Sequence, residues 1–298
     1  MDWKSRKIAA VLEAALAEDK ATNDVTTALT IDPGQRASAT VLVRQDCVIA
    51  GLGSIAAVFD AFAALTNRTD GTRGSRYEVI SHPEIFDGVR VRKGQTVAVI
   101  RHSAAAILSC ERVILNLLQR MSGIATLTRE FVDATAGTKA QVLDTRKTMP
   151  GLRLLDKYAV CCGGGQNHRL DLQDGIMLKQ SHIALAGGLE NAVQRAAKHR
   201  KQGQKVEVEV SSIEDAETAV QTGADVLLFV HMSAREVALA VEQMRTDHPK
   251  VLLEVAEHLS LENVREYADT GVDFVSVGNL TRGALAVDLS MRITADVY

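Results

Sequence analysis

Two near-copies of one four-residue phrase constrain this chain more than any other feature. Thr222-Gly223-Ala224-Asp225 and Thr270-Gly271-Val272-Asp273 each lead into a short apolar run, DVLLFV and DFVSV. Glycine lets a helix end in a left-handed turn, and the apolar run that follows is of strand length. A repeated helix-stop, strand-start phrase calls for β/α units on a parallel sheet. The pattern extends over everything after residue 140. Candidate strands are 141–144, 175–179, 205–210, 225–230, 251–256 and 273–277. Ser212, Ser233 with Glu236, and Ser260 stand where the intervening helices should start. A parallel barrel fits this alternation better than an open sheet.

The earlier part of the chain follows a different pattern. From about 25 to 103, short β-type runs such as ATVLVRQ and DGVRVRKGQTVAVI alternate with helical stretches such as SIAAVFDAFAAL, a small α+β domain. Before it, Ile8, Val11, Leu12, Ala15 and Leu16 recur at helical spacing. The acids within that run argue against a signal peptide. Residues 104–122 read as a largely buried helix with Arg112, Asn116, Gln119 and Arg120 near one face.

The bulk properties exclude several classes. A net charge of −3 offers no general attraction to nucleic acid or an anionic membrane. No apolar run reaches the ~18 residues of a membrane span, and a cytoplasmic location is expected. Four cysteines, two of them adjacent, make no disulfide framework.

In a β/α barrel the working residues sit at the carboxyl ends of the strands. Here those ends carry Asp144 with Arg146 and Lys147, then Lys179, Glu209, Val230 with His231, and Glu254 with Glu257 and His258. Together with His168 and Arg169, the basic members suit a small molecule bearing two carboxylates, because guanidinium groups grip carboxylates bidentately.

The same residues carry a resemblance. LDTRKTMPGLRLLDKYAVCCGGGQNHRLDL resembles the signature of the quinolinate phosphoribosyltransferases, also called carboxylating nicotinate-nucleotide pyrophosphorylases. AEDKATNDVTT, ERVILNLLQRMSGIATLT, VEVEV, TGVDFVSVG and AVDLS extend the similarity over nearly the whole chain. The resemblance implies an N-terminal α/β sandwich plus an incomplete parallel α/β barrel. Residues 1–114 would form the first domain, with the tail 284–298 packing back on it, and 115–283 would form the barrel. It implies conversion of quinolinate and phosphoribosyl pyrophosphate to nicotinate mononucleotide, pyrophosphate and CO2 with Mg2+. It also implies a homodimer in which Arg112 reaches the partner's site. Arg146, His168, Arg169 and Lys179 would hold the pyridine dicarboxylate, Lys147 a phosphate, and Glu209 the ribose and metal region.

Three blocks depart from that family pattern. Gln180-Ser181 replace an acid and its neighbour, Val230-His231 replace Asp-Asn, and Val255-Ala256-Glu257-His258 replace a small Ser-Gly turn. Mg2+ favours carboxylate and water oxygens. A phosphate-binding turn needs small residues, and Glu257 would add a negative charge there. The expectation taken forward is therefore a decarboxylase that removes the C2 carboxylate of a pyridine-2,3-dicarboxylate without the sugar diphosphate. In that scheme Glu254 and Glu257 join the substrate-binding set. Lys179, His168, His231 or His258 supplies the proton, and no cofactor is certain. A variant places a transition ion on His182, His231 and His258. The alternatives are the orthodox transferase and, third, a non-catalytic dicarboxylate-binding protein.

Overall fold

The computed structural model describes residues 1–70 and 77–295. The chain divides into two compact units. The first comprises 1–127, 149–164 and 283–298, and the second 128–148 and 165–282. Positions 296–298 of the tail lie outside the described residues.

In the first unit, β1 (Arg36–Val43) pairs antiparallel on one side with β5 (Thr96–Ser103) and on the other with the C-terminal strand Leu289–Ala295. The short β3 (Glu78–Ile80) completes this sheet, and β2 (Cys47–Val48) with β4 (Arg90–Val91) forms a separate ribbon. Strict alternation along β1 buries Ala37, Ala39, Val41 and Val43 on one face. The amphipathic helix α1 (Arg6–Glu18) buries Ile8, Leu12 and Leu16 at the spacing the sequence predicts.

The long helix Ala104–Ala134 runs beyond its expected end at 122. Gly123 lies within it. A Cβ there would meet the carbonyl oxygen of Leu285 at 2.0 Å, so the close approach of the returning chain admits no side chain. The polar stripe on this helix divides in two. Arg120 makes a bidentate pair with the fully buried Asp156 at 2.8 and 2.7 Å, and Gln119 donates to the Leu289 carbonyl at 3.0 Å. Removing one partner of such a buried pair costs on the order of 3 kcal/mol. Arg112 and Asn116 stay exposed.

The second unit is the repeat region. Its strands are β6 (Gln141–Leu143), β7 (Ile176–Leu178), β8 (Val206–Val210), β9 (Val226–Phe229), β10 (Leu252–Val255) and β11 (Phe274–Ser276). They form one all-parallel sheet in the order β6-β11-β10-β9-β8-β7. Each strand lies within a residue or two of its expected bounds. No ladder joins the edge strands β6 and β7 among the described residues, so the barrel is incomplete. Ser212 and Ser233 cap their helices as expected, Ser233 in a reciprocal box with Glu236. Gly223 (φ 118°) and Gly271 (φ 89°) occupy left-handed turns after theirs. Ser260 does not cap. A turn intervenes, and the helix begins only at Val264, after Asn263.

Alternation on these strands produces a polar interior. Val206, Val208 and Val210 take one face of β8, and Glu207 and Glu209 take the other. On β9 and β10, Leu227, Phe229, Leu253 and Val255 are fully buried, while Leu228 and Glu254 share the face of the two β8 glutamates.

Candidate active site

A cavity of about 320 Å³ opens in the second unit at the carboxyl ends of the strands. Thr145, Arg146, Lys147, His168, Arg169, Met177, Lys179, Glu209, Leu228, Val230, Glu254, Ala256 and Ser276 line it. Of the residues named from sequence, it brings together Arg146, Lys147, His168, Arg169, Lys179, Glu209 and Glu254.

Local structure fixes each of them. Asp144, fully buried just past β6, accepts from the His168 backbone N–H at 2.8 Å. A bridge between Leu143 and Gln166 seats the same loop along the β6 edge. Arg169 donates to the Gly175 carbonyl at 3.1 Å. Burial lowers the Arg169 pKa first, and the neighbouring Arg146 charge adds to that. Two cations gathered in a half-buried cleft form a receptor for a dianion. Lys147 folds over Gly278, where a Cβ would meet its Cδ at 2.9 Å.

At the mouth, Lys179 Nζ lies 2.6 Å from Glu209 Oε1, and the Gln180 N–H reaches Glu209 Oε2 at 3.4 Å. Below, His168 Nε2 lies 3.1 Å from Glu207 Oε2 and 3.6 Å from Glu254 Oε1, while Ser276 donates to Glu254 Oε1 at 2.5 Å. Burial, and then the Glu207 charge, push the Glu254 pKa up to about 7. Sequence reasoning missed Glu207, Ser276 and the role of Asp144. The two glutamates of VEVEV, spaced two apart, are a period-2 signal that points both inward.

His168 lines the cavity as expected, with both ring nitrogens engaged. Nδ1 accepts from the Arg169 N–H at 2.7 Å and Nε2 faces the two carboxylates. Several expectations need correction. His231 and His258 are exposed and do not line the cavity; Val230 and Ala256 take the inward positions instead. His231 adopts φ 58°, the left-handed region that suits the Asn of the family pattern. Glu257 also stays out of the cavity, and its carboxylate accepts from the Met232 N–H at 3.2 Å. His182 accepts from the Lys179 N–H at 3.1 Å and so starts a helix. His182, His231 and His258 assemble no metal site. Among the described residues, the one group of three whose ligand-type atoms lie within 4.8 Å of one another is His168, Glu207 and Glu254. Gly164 (φ 93°) takes the left-handed turn that ends the helix Arg153–Gly163.

Arg112 belongs to the first unit, exposed and paired with Glu111 at 3.0 Å. No helix among the described residues is long and apolar enough to cross a membrane.

Comparison with known proteins places this architecture. Residues 24–122 match the N-terminal domain of quinolinate phosphoribosyl transferase, and residues 124–292 match its C-terminal domain. The chain belongs to the quinolinate phosphoribosyltransferase family. It is 38% identical over 270 residues to the carboxylating nicotinate-nucleotide pyrophosphorylase of Mycobacterium leprae, covering 91% of each chain. It is 34% identical to a tobacco relative (Nicotiana glauca) named quinolinate phosphoribosyltransferase [decarboxylating] 2, covering 96% of this chain and 82% of that one. The solved structure of NadC from Streptococcus pyogenes superposes with a TM-score of 0.87 at 34% identity over 96% of each chain. Membership in this family accounts for the two-unit division and for the parallel sheet that carries the cavity.

Proposed function

We propose that this protein binds quinolinate in the barrel cavity and removes the carboxylate beside the ring nitrogen as CO2, in a phosphoribosyl transfer that yields nicotinate mononucleotide and pyrophosphate. The observation that carries this is the convergence of Arg146, Arg169 and Lys179 on one cavity, in a chain whose relatives bear the pyrophosphorylase name over nine-tenths of its length. Those names move the balance from the sugar-free decarboxylase to the transferase. Arg146 and Arg169 would grip the two carboxylates. Binding a dianion would relieve the repulsion between them, and Lys179 would exchange its contact with Glu209 for one with substrate. A ring nitrogen made cationic by ribosylation stabilises the electron pair that CO2 leaves on the adjacent carbon.

A second reading rests on the rim. Glu209 is the one carboxylate there, already held by Lys179, and Val230 and Ala256 take the inward positions beside it. This donor set does not fit Mg2+, which wants several hard oxygens, so no step is assigned to a metal. That rim favours decarboxylation without the sugar diphosphate. The Glu257 contact to Met232 adds a fixed negative charge to the neighbouring loop.

Calorimetry separates the two. Quinolinate titrated into the protein should bind alone, and phosphoribosyl pyrophosphate with Mg2+ should bind to the quinolinate complex. Quinolinate binding without any sugar diphosphate binding would select the second reading, and no quinolinate binding would defeat both. The dimer with Arg112 donated across its interface belongs to this proposal.

A further inference from the structure

We propose that Glu254 is the acid that protonates the ring carbon from which CO2 departs, resting on the decarboxylation common to both readings above. Three observations carry it. First, a second cavity of about 380 Å³ lies at the amino ends of the same strands, around Lys205, Glu207 and Leu252. It shares with the substrate cavity only His168, Arg169 and Glu254. Of the acids, Glu209 lines only the mouth and Glu207 only the far side, whereas Glu254 lines both.

Second, burial and the charge beside it suit Glu254 to keep its proton until needed. Glu207 from β8 sets a negative charge beside it. His168 and Arg169 face it from the loop before β7, and Ser276 from β11 donates to Oε1. Burial and then Glu207 favour the protonated form, and they outweigh the opposite pull of His168 and of the Ser276 hydrogen bond. Third, the competing groups have other roles. His168 holds its own loop through Nδ1 and the glutamate pair through Nε2, and Lys179 at the mouth passes from Glu209 to a substrate carboxylate.

The step balances. The C2–carboxylate bond breaks and its electron pair stays on C2. The Glu254 O–H bond then breaks as the C2–H bond forms, leaving Glu254 ionised. A proton from solvent would restore Glu254 before the next turnover, through the second cavity that it also lines.

The test compares wild type with Glu254→Gln, which keeps size and neutrality but donates no carboxylic proton. Both are supplied with quinolinate, phosphoribosyl pyrophosphate and Mg2+, and quinolinate affinity is measured separately. The expected result is unchanged quinolinate affinity and KM, with kcat for nicotinate product lowered about 10²-fold or more, the scale of a lost general acid. Exchange of the product's C2 hydrogen with D2O, catalysed by wild type, should be lost in step. Glu207→Gln supplies a readout that does not depend on folding of the first variant. Removing the neighbouring charge should move the alkaline limb of the kcat–pH profile toward acid. Wild type that releases CO2 beside an E254Q enzyme within twofold of it overturns the role of Glu254 while sparing the functional reading. An unmoved limb in E207Q does the same. Wild type that releases no CO2 under either condition overturns both.

Discussion

Lys179 and Glu209 face each other across the cavity mouth at 2.6 Å, from the ends of adjacent parallel strands. The ammonium that would meet a substrate carboxylate is thus paired with Glu209, and substrate must compete with Glu209 for it. Replacing Glu209 with Gln removes that competitor. Quinolinate affinity should rise about fivefold, the ~1 kcal/mol scale of a half-exposed ion pair, while turnover falls. Lys179→Ala should weaken binding. Titration calorimetry on the two variants checks both signs, and weaker binding by E209Q would contradict the competition.

Arg112 is an exposed residue of the first unit, paired with Glu111, and is not among the residues that line the cavity of the second. If it completes a partner's site, mixing Arg112→Ala with Lys179→Ala protein should restore part of the activity, because some sites in mixed dimers would hold both native residues. Failure to regain CO2 release after subunit exchange would remove the shared site.

The raised pKa of Glu254 carries a stability consequence with a definite sign. Its protonated form is favoured in the fold. That contribution is fully present below the ordinary carboxyl value of 4.5 and is lost as pH rises through about 7. Urea unfolding of wild type should therefore show stability falling across that window. In Glu254→Gln the fall should flatten. An equal slope in the variant would place the titrating group elsewhere.

His231 sits at φ 58° on an exposed loop. Asn adopts this region more readily than His. His231→Asn should gain about 0.5 kcal/mol in urea unfolding and leave CO2 release unchanged. A tenfold loss of activity would return His231 to the chemistry.

The barrel was legible in the sequence to within a residue or two per strand because period-2 runs and helix-ending glycines are local signals. Arg146, Lys147, Lys179 and Glu209 were legible for the same reason, since strand ends in a β/α barrel face one mouth, whereas Arg169, on the loop before β7, was named with the resemblance. What sequence could not supply was which way a loop residue turns. His231 and His258 follow strand ends by two and three residues, close behind Val230 and Ala256, yet only the latter pair lines the cavity. The buried cluster was half legible. Glu207 shares its strand face with Glu209, but its meeting with Glu254, Ser276 and His168 depends on neighbouring strands in the sheet and on a loop anchored by Asp144. The helix Ala104–Ala134 runs past its expected end, and the close approach of Leu285 to Gly123 within it is a tertiary fact that sequence does not carry.

The most direct measurement uses quinolinate labelled in its C2 carboxylate and follows labelled CO2 with and without phosphoribosyl pyrophosphate and Mg2+. Release that requires the sugar diphosphate, with nicotinate mononucleotide formed in equal amount, is the predicted result. Release without it would assign the protein to sugar-free decarboxylation. No labelled CO2 under either condition would contradict a decarboxylating site in this barrel.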